Sequence, residues 1–285
     1  MVYDLSIVTI SYNQAEYLPA CVDSVLSEKI NSKKNIQYIV WDPGSNDGSR
    51  EYLRKCQSID KVFFEHDSGP ADGLNKAFSH AEGEIGYFIN SDDFILPGSV
   101  GYVLKFFSDN PDVDILLGQG WMVDDNGCPL RQLRNRSATI WELVFGVAPM
   151  VQQGLFFRME LFRSVGGFNT ANTTCWDLEL LCDMMCAGGS VAVFPKTLGC
   201  FRLYGQSLTG GSGGALHAQN YRNDLCRLKK KYALGAEKRF IGRLKIIISV
   251  YFKNIYIYFI RFMEILFRRR MISKYNRRIK FFDQI

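Results

Sequence analysis

The chain has 285 residues, 47% of them hydrophobic and 22% charged, with a formal net charge of +5. Those proportions exclude a disordered or collagen-like chain, and the length suffices for one full α/β core with an appendage. The charge is divided unevenly, because residues 216–285 hold 18 basic against 4 acidic side chains and residues 1–215 hold 16 against 25. Two regions with different partners are predicted, a domain over 1–215 and a basic helical region over 216–285.

The opening MVYDLSIVTISYN runs straight into a strand-like segment and lacks the basic stretch and long apolar core of a secretory signal, which predicts a cytoplasmic chain. Apolar runs follow at 5–11, 36–42, 61–67 and 85–90, rich in Ile, Val, Phe and Tyr. Between them, 14–28, 47–57 and 70–81 carry helical spacing, as in Leu74, Ala77, Phe78 and Ala81. This alternation predicts a mixed, mostly parallel sheet flanked by helices. Ligands of such sheets bind outside the carboxyl ends of the strands. The polar residues gather there: Thr9, Ser11 and Asn13, then Asp42, Gly44, Asn46 and Asp47, then Asp67 and Asp72, then Asn90, Ser91, Asp92 and Asp93.

In WDPGSNDGS (41–49), Asp42 ends a strand and Asp47 is placed to cap the next helix, a pattern that any βα turn can use. Segment 65–78 sets Asp67 and Asp72 about a Gly-Pro turn, with Asn75 and Lys76 in the first turns of a helix whose free N–H groups suit an anion. Lys76 alone reads as a solvated charge. The sharpest signal is FINSDDF (88–94), a strand emptying into two adjacent carboxylates. Such neighbours raise each other's pKa unless a cation neutralises them. Magnesium and manganese take oxygen ligands, commonly one or two protein carboxylates with substrate phosphates completing the shell. Asp92 and Asp93 are therefore candidate metal ligands. The alternative is that they cap a helix beginning near Pro97.

Beyond residue 114, DILLGQGWMVDDNGCPL predicts two strands about an Asp125-Asn126-Gly127 turn, with short strands at 155–158 and 190–195 and a glycine-closed helix at 176–189. Asp177 opens that helix, where it can serve as a cap or as a base, and Glu179 faces another side, free to pair elsewhere. The eight cysteines are scattered without a CxxC pair and read as reduced, mostly buried thiols. Cys182 and Cys186 share a helix face but have no companion ligands. Residues 240–281 are basic and aromatic, and Lys253, Arg261 and Glu264 interrupt their apolar stretches, which are too short to span a bilayer. An amphipathic helix on a membrane surface is predicted, with a helical pair closing a homo-oligomer or covering the domain as the alternative.

Taken in order, SIVTISYNQAEYLPACVDSVL, IVWDPGSNDGS, DSGPADGLNKAF, GEIGYFINSDDFILPGS, GGFN and WDLELL resemble family 2 glycosyltransferases of the GT-A fold, over roughly residues 4–208. The resemblance implies inverting transfer from a nucleotide diphosphate sugar to a saccharide or lipid-linked saccharide acceptor, with no nucleic-acid partner. It places Thr9, Tyr12 and Asp42 at the nucleobase and Asp92 at the metal and diphosphate, Asn90 standing where the family has its first acid. It makes Asp177 the catalytic base and Glu179 a second frequent acid. A later Arg-x-His-x-x-Ser segment falls on FRLYGQSLTG, with Tyr204 in the histidine's place and Arg202 and Ser207 toward the diphosphate. Position at the strand ends adds Ser11, Asp72, Asn75 and Ser91 to the donor-binding candidates. A different class, a catalytically silent nucleotide-sugar-binding or partner subunit, keeps the same pattern. A nucleotidyltransferase would carry a glycine- and lysine-rich loop after the first strand, which SYNQAEY does not.

Overall fold

A computed structural model of the chain describes residues 3–205 and 214–233. The first half alternates β1 (Tyr3–Ile10), α1 (Leu18–Asn31), β2 (Ile36–Trp41), α2 (Ser49–Lys55), β3 (Lys61–Phe63), α3 (Pro70–Phe78) and β4 (Gly83–Asn90). Then come β5 (Phe94–Ile95), α4 (Ser99–Asp109), β6 (Ile115–Val123), β7 (Pro129–Leu133), α5 (Ile140–Val144), β8 (Leu155–Arg158), α6 (Met159–Ser164), α7 (Trp176–Cys186), β9 (Val191–Arg202) and α8 (Gly214–Ala233). The strands form one mixed sheet in the order β3-β2-β1-β4-β8-β6-β9-β5, with β7 paired to β6. Strands β3, β2, β1 and β4 run parallel, β8 is antiparallel to both β4 and β6, and β9 returns parallel to β6.

Side chains of β1, β2 and β4 alternate between two buried faces. Leu5, Ile7, Tyr38, Val40, Tyr87 and Ile89 pack under α1 and α4, while Val8, Ile39, Trp41 and Phe88 pack against α3, α6 and α7. A sheet covered on both sides permits this nearly continuous apolar composition. Register then sets the site, because Ile10 pairs with Trp41 on one side and Asn90 on the other. Ser11, Asp42 and Ser91 consequently leave the sheet at one level.

Three expectations are revised. The third strand ends at Phe63 rather than continuing to 67, and β9 is twelve residues long, extending well past 195. The helix after the acidic loop starts at Ser99 and is capped by neither Asp92 nor Asp93. Buried Glu28 of α1 accepts from the N–H groups of Gly98 and Val100 instead, at 2.5 and 2.8 Å. Lastly, the compact unit runs to Tyr232, so α8 belongs with the sheet and the boundary drawn at 215 falls too early. Its basic side chains are drawn into that unit by acids on α7. The cysteines of the described residues are all free thiols, with Cys182 buried and Cys186 exposed. Ser207 and the 240–281 segment lie outside the described residues.

Candidate functional site

At the end of β2, Asp42 is fully buried. Its Oδ1 accepts from Gly44 N (3.0 Å), Ser45 N (2.8 Å) and Arg50 Nε (2.9 Å). Among the described residues its Oδ2 has no hydrogen-bond partner, and neither has Oγ of Ser11 at the end of β1. The two ends are joined by Ser11 N donating to Trp41 O at 2.9 Å. Buried polar atoms are nearly always paired, so two orphans on adjacent strand ends leave hydrogen-bonding capacity at one place that a ligand could meet. Tyr12, 61% exposed, stands beside them.

The acidic loop follows β4. Asp93 is 1% exposed, and its oxygens accept from Arg202 N (2.9 Å) and Gln153 Nε2 (2.8 Å). Burial, then the neighbouring Asp92 charge, pushes its carboxyl well above the usual range. Asp92 is half-buried, and burial raises its pKa too, against the hydrogen bond from Tyr204 and the Arg202 charge. Arg202 itself donates from Nε to Asp92 O (2.8 Å) and from Nη1 to Asp125 O (2.5 Å), with its guanidinium over the rings of Tyr17 and Phe94. The β5–β9 pairing of Phe94 with Cys200 completes the strap.

On the other side of the sheet from α1, Phe168 packs edge-on against Phe88 of β4 at 5.2 Å. The same apolar cluster continues through Cys175 and Leu180 into α7. Asp177, in the first turn of α7, accepts from Leu178 N at 2.7 Å, and packing around its carboxyl raises its pKa. The N-cap position is Cys175 and among the described residues no side chain caps this helix, so Asp177 does not act as the cap. Glu179 is fully buried and accepts a two-pronged contact from Arg227 of α8 at 2.7 and 2.6 Å, with Lys231, Asn169 and Asn172 also donating. Burial works to raise its pKa, but the Arg227, Asn169, Asn172 and Lys231 bonds prevail and hold it at about 2.

Several candidates sit elsewhere than expected. Thr9 shares the parity of Leu5 and Ile7 and so points beneath α1, fully buried, its hydroxyl 3.1 Å from Tyr38 Oη; its side chain is closed to a nucleobase. Asn75 spends both ends of its amide on the backbone of Phe168, Nδ2 to O and Oδ1 to N at 2.8 Å each, so it clamps the GGFN loop rather than offering itself to an anion. Asp72 is tied to Ser68 N (2.9 Å) and Lys76 (3.0 Å), which hold its pKa low. Lys76 is thereby paired and also lies over the Trp41 ring. Ser91 is buried at the turn into Asp92.

Gln153, Gln14 and Arg227 escaped the sequence reading. Tyr204, in sequence a departure from the family's histidine, contacts Asp92 through its hydroxyl. The adjacent Gln152-Gln153 before an apolar strand was the available signal, since buried amides demand partners.

Among the described residues no group of three or more His, Cys, Asp or Glu could enclose a metal ion. A divalent cation held chiefly by phosphates needs only one protein carboxylate, and half-buried Asp92, whose charge burial disfavours, has that chemistry. Asp93, with both oxygens engaged and almost no exposed surface, does not offer a second ligand in the way expected.

The sheet with its flanking helices is of the GT-A type. The fold resembles S. aureus TarS 1–349 in complex with UDP-GlcNAc, at a TM-score of 0.58 and 18% identity over 70% of this chain and 58% of that one. It also resembles the mannosyltransferase PcManGT from Pyrobaculum calidifontis in complex with GDP-Man and Mn2+, at 0.53 and 16% over 70% and 57%. Residues 6–165 match the model for glycosyl transferase family 2, and the chain belongs to that family. Curated relatives include the putative teichuronic acid biosynthesis glycosyltransferase TuaG of Bacillus subtilis, 32% identical over 44% of this chain and 50% of that protein. An uncharacterized glycosyltransferase of Nostoc, alr2836, is 23% identical over 70% and 65%. The chain thus spans half to two thirds of the length of these relatives.

Proposed function

We propose that this chain is an inverting, metal-dependent glycosyltransferase that moves a sugar from a nucleotide diphosphate sugar to a hydroxyl of a saccharide, as in the assembly of bacterial surface polysaccharides. The observation that carries the donor site is the pair of orphaned buried atoms, Asp42 Oδ2 and Ser11 Oγ, at adjacent strand ends. A nucleobase edge offers an N–H to the one and a carbonyl or N–H to the other. Exposed Tyr12 supplies a ring beside it. Asp92 holds Mn2+ or Mg2+ together with the diphosphate; bound there, the ion offsets charge on the leaving group. Arg202 keeps that carboxylate in place through the loop backbone rather than by reaching the donor.

Asp177 serves as the base. A carboxylate whose pKa is raised is a better proton acceptor than an ordinary one. It removes the acceptor hydroxyl's proton while that oxygen attacks the anomeric carbon opposite the departing diphosphate, and one displacement inverts configuration. The solved neighbours with UDP-GlcNAc and GDP-Man direct the choice of first donors. Thermal stabilisation by nucleotide sugars with and without metal tests the donor site. Asp177→Asn should retain that stabilisation and lose transfer, and a variant that still transfers refutes the assignment. A membrane-surface role for 240–281, and with it a lipid-linked acceptor, belongs to the same proposal; among the described residues no helix is long and apolar enough to cross a bilayer. Flotation with anionic liposomes at low salt tests it.

A further inference from the structure

Helix α8 comes from the basic end of the chain, yet its inner face is written into α7. Asp224 Oδ2 accepts from Thr173 N, Thr173 Oγ1 and Thr174 Oγ1 at 3.0, 3.3 and 2.8 Å, just before the first turn of α7. One turn further along α8, Arg227 forks onto both oxygens of Glu179. A turn beyond that, Lys231 reaches Glu179 and Asp183, and Tyr232 donates to Glu179 O and Asp183 Oδ1 at 3.2 and 2.8 Å. Glu179 stands two residues from Asp177. A buried anion so close raises the pKa of a neighbouring carboxyl unless a cation cancels it.

We propose that Arg227 is a positioning residue for Asp177: gripping Glu179 from α8, it fixes the first turn of α7 and cancels the charge that would otherwise stand beside the base. The proposal rests on the reading of Asp177 as that base. The remaining groups near Asp177 are Cys175 and Tyr221. Burial raises both, Cys175 to about 11, so both are neutral at working pH. Asp224 is engaged by the two threonines and lies 3.7 Å from Arg227, while Asp183 is paired with Lys231 and Tyr232. In the folded protein the Asp177 carboxyl is shifted by burial, against hydrogen bonds from the backbone, and the Glu179 charge two residues on is met by Arg227 and Lys231. Arg227 suits the task because a guanidinium presents two parallel N–H bonds to a carboxylate, whereas an ammonium gives a single point of contact.

Carbon-13 NMR of the full chain carrying labelled aspartate reads the titration of Asp177, its signal assigned by its loss in Asp177→Asn. Arg227→Met should raise the Asp177 midpoint by about one pH unit. Glu179→Gln, which removes the anion, should lower it, and Arg227→Lys should restore most of the wild-type value. A purely packing role would not produce opposite signs. If Arg227→Met fails to fold, Glu179→Gln alone and the Glu179→Gln/Arg227→Met pair carry the test, both expected at or below the wild-type midpoint. Midpoints that stay put, or that move upward in Glu179→Gln, overturn the proposal. Failure of the base assignment shows separately, as transfer persisting in Asp177→Asn.

Discussion

Tyr204 Oη lies 3.1 Å from Oδ2 of Asp92 and accepts from Gln14 Nε2 at 3.1 Å, so one hydroxyl joins the end of β4 to the loop after β1. The sequence places this tyrosine where a histidine is usual in the family, and the structure gives the replacement work: a hydrogen bond to the ionised form of Asp92 lowers a pKa that burial raises. Tyr204→Phe should therefore raise it further. A cation requires the ionised carboxylate, so the metal concentration needed for donor-linked thermal stabilisation should increase roughly tenfold, in line with about 1.5 kcal/mol for a bond to a charged group. The increase should be larger at pH 6 than at pH 8.

Asp92 itself costs the ligand-free protein stability. Its folded pKa exceeds the ordinary 3.8, so the folded state binds the extra proton and stability declines as pH rises through the folded value. At pH 7.5 without metal, Asp92→Asn should melt about 2–4 °C higher, the shift expected of roughly 1 kcal/mol in a domain of this size. The same variant should lose all metal-linked stabilisation by donor in differential scanning fluorimetry.

Asp42→Asn keeps an oxygen for Gly44 and Ser45 but replaces the orphaned acceptor with a donor. Binding of the cognate nucleotide should weaken by 10- to 100-fold, about 1.4–3 kcal/mol, when measured by titration calorimetry. Equal affinity in the variant would remove Asp42 from the donor site.

Glu179 makes a pH prediction of opposite sign to Asp92. Its folded pKa of about 2 lies below the ordinary 4.5, so its stabilisation is complete above 4.5 and disappears as pH falls from there toward 2. The full effect is about 3 kcal/mol. Urea denaturation of the wild type should show this loss between pH 4.5 and 3, and Glu179→Gln should flatten it while lowering stability at pH 7.

Gly167 has φ +75°, and a Cβ there would come within 2.6 Å of Asn75 Oδ1, the atom that receives Phe168 N. Gly167→Ala thus combines left-handed strain with damage to the clamp. A loss of about 1–3 kcal/mol is expected in chemical denaturation, with Asn75→Ala comparable through its two lost bonds.

The alternating first half of the fold could be read from the chain because period-2 and period-3.6 patterns are local. So could the concentration of acids at the strand ends. What local pattern cannot supply is the direction of a side chain near the end of a strand. Thr9 looked available but is turned inward by the parity it shares with Leu5 and Ile7. The partners of Asp93 and Glu179 are distant in sequence, Arg202 lying 109 residues from the first and Arg227 lying 48 from the second. Nothing in the spacing of either acid announces them. The 215 boundary differs from the compact unit for the same reason, since composition assigned α8 to the basic region whereas buried Glu179 and partly buried Asp183 on α7 draw its cations in.

If Asp92 holds a divalent ion as proposed, the strap across Asp93 bears on which ion it would be. With Asp93 fastened to Arg202 N and Gln153, and Arg202 in turn holding Asp92 O and Asp125 O, the acidic loop cannot swing to gather further oxygens. Calcium surrounds itself with about six to eight oxygens from compliant ligands, and a stiff loop presenting one carboxylate gives it little to recruit. Smaller ions that keep their waters and lean on phosphate would lose nothing there.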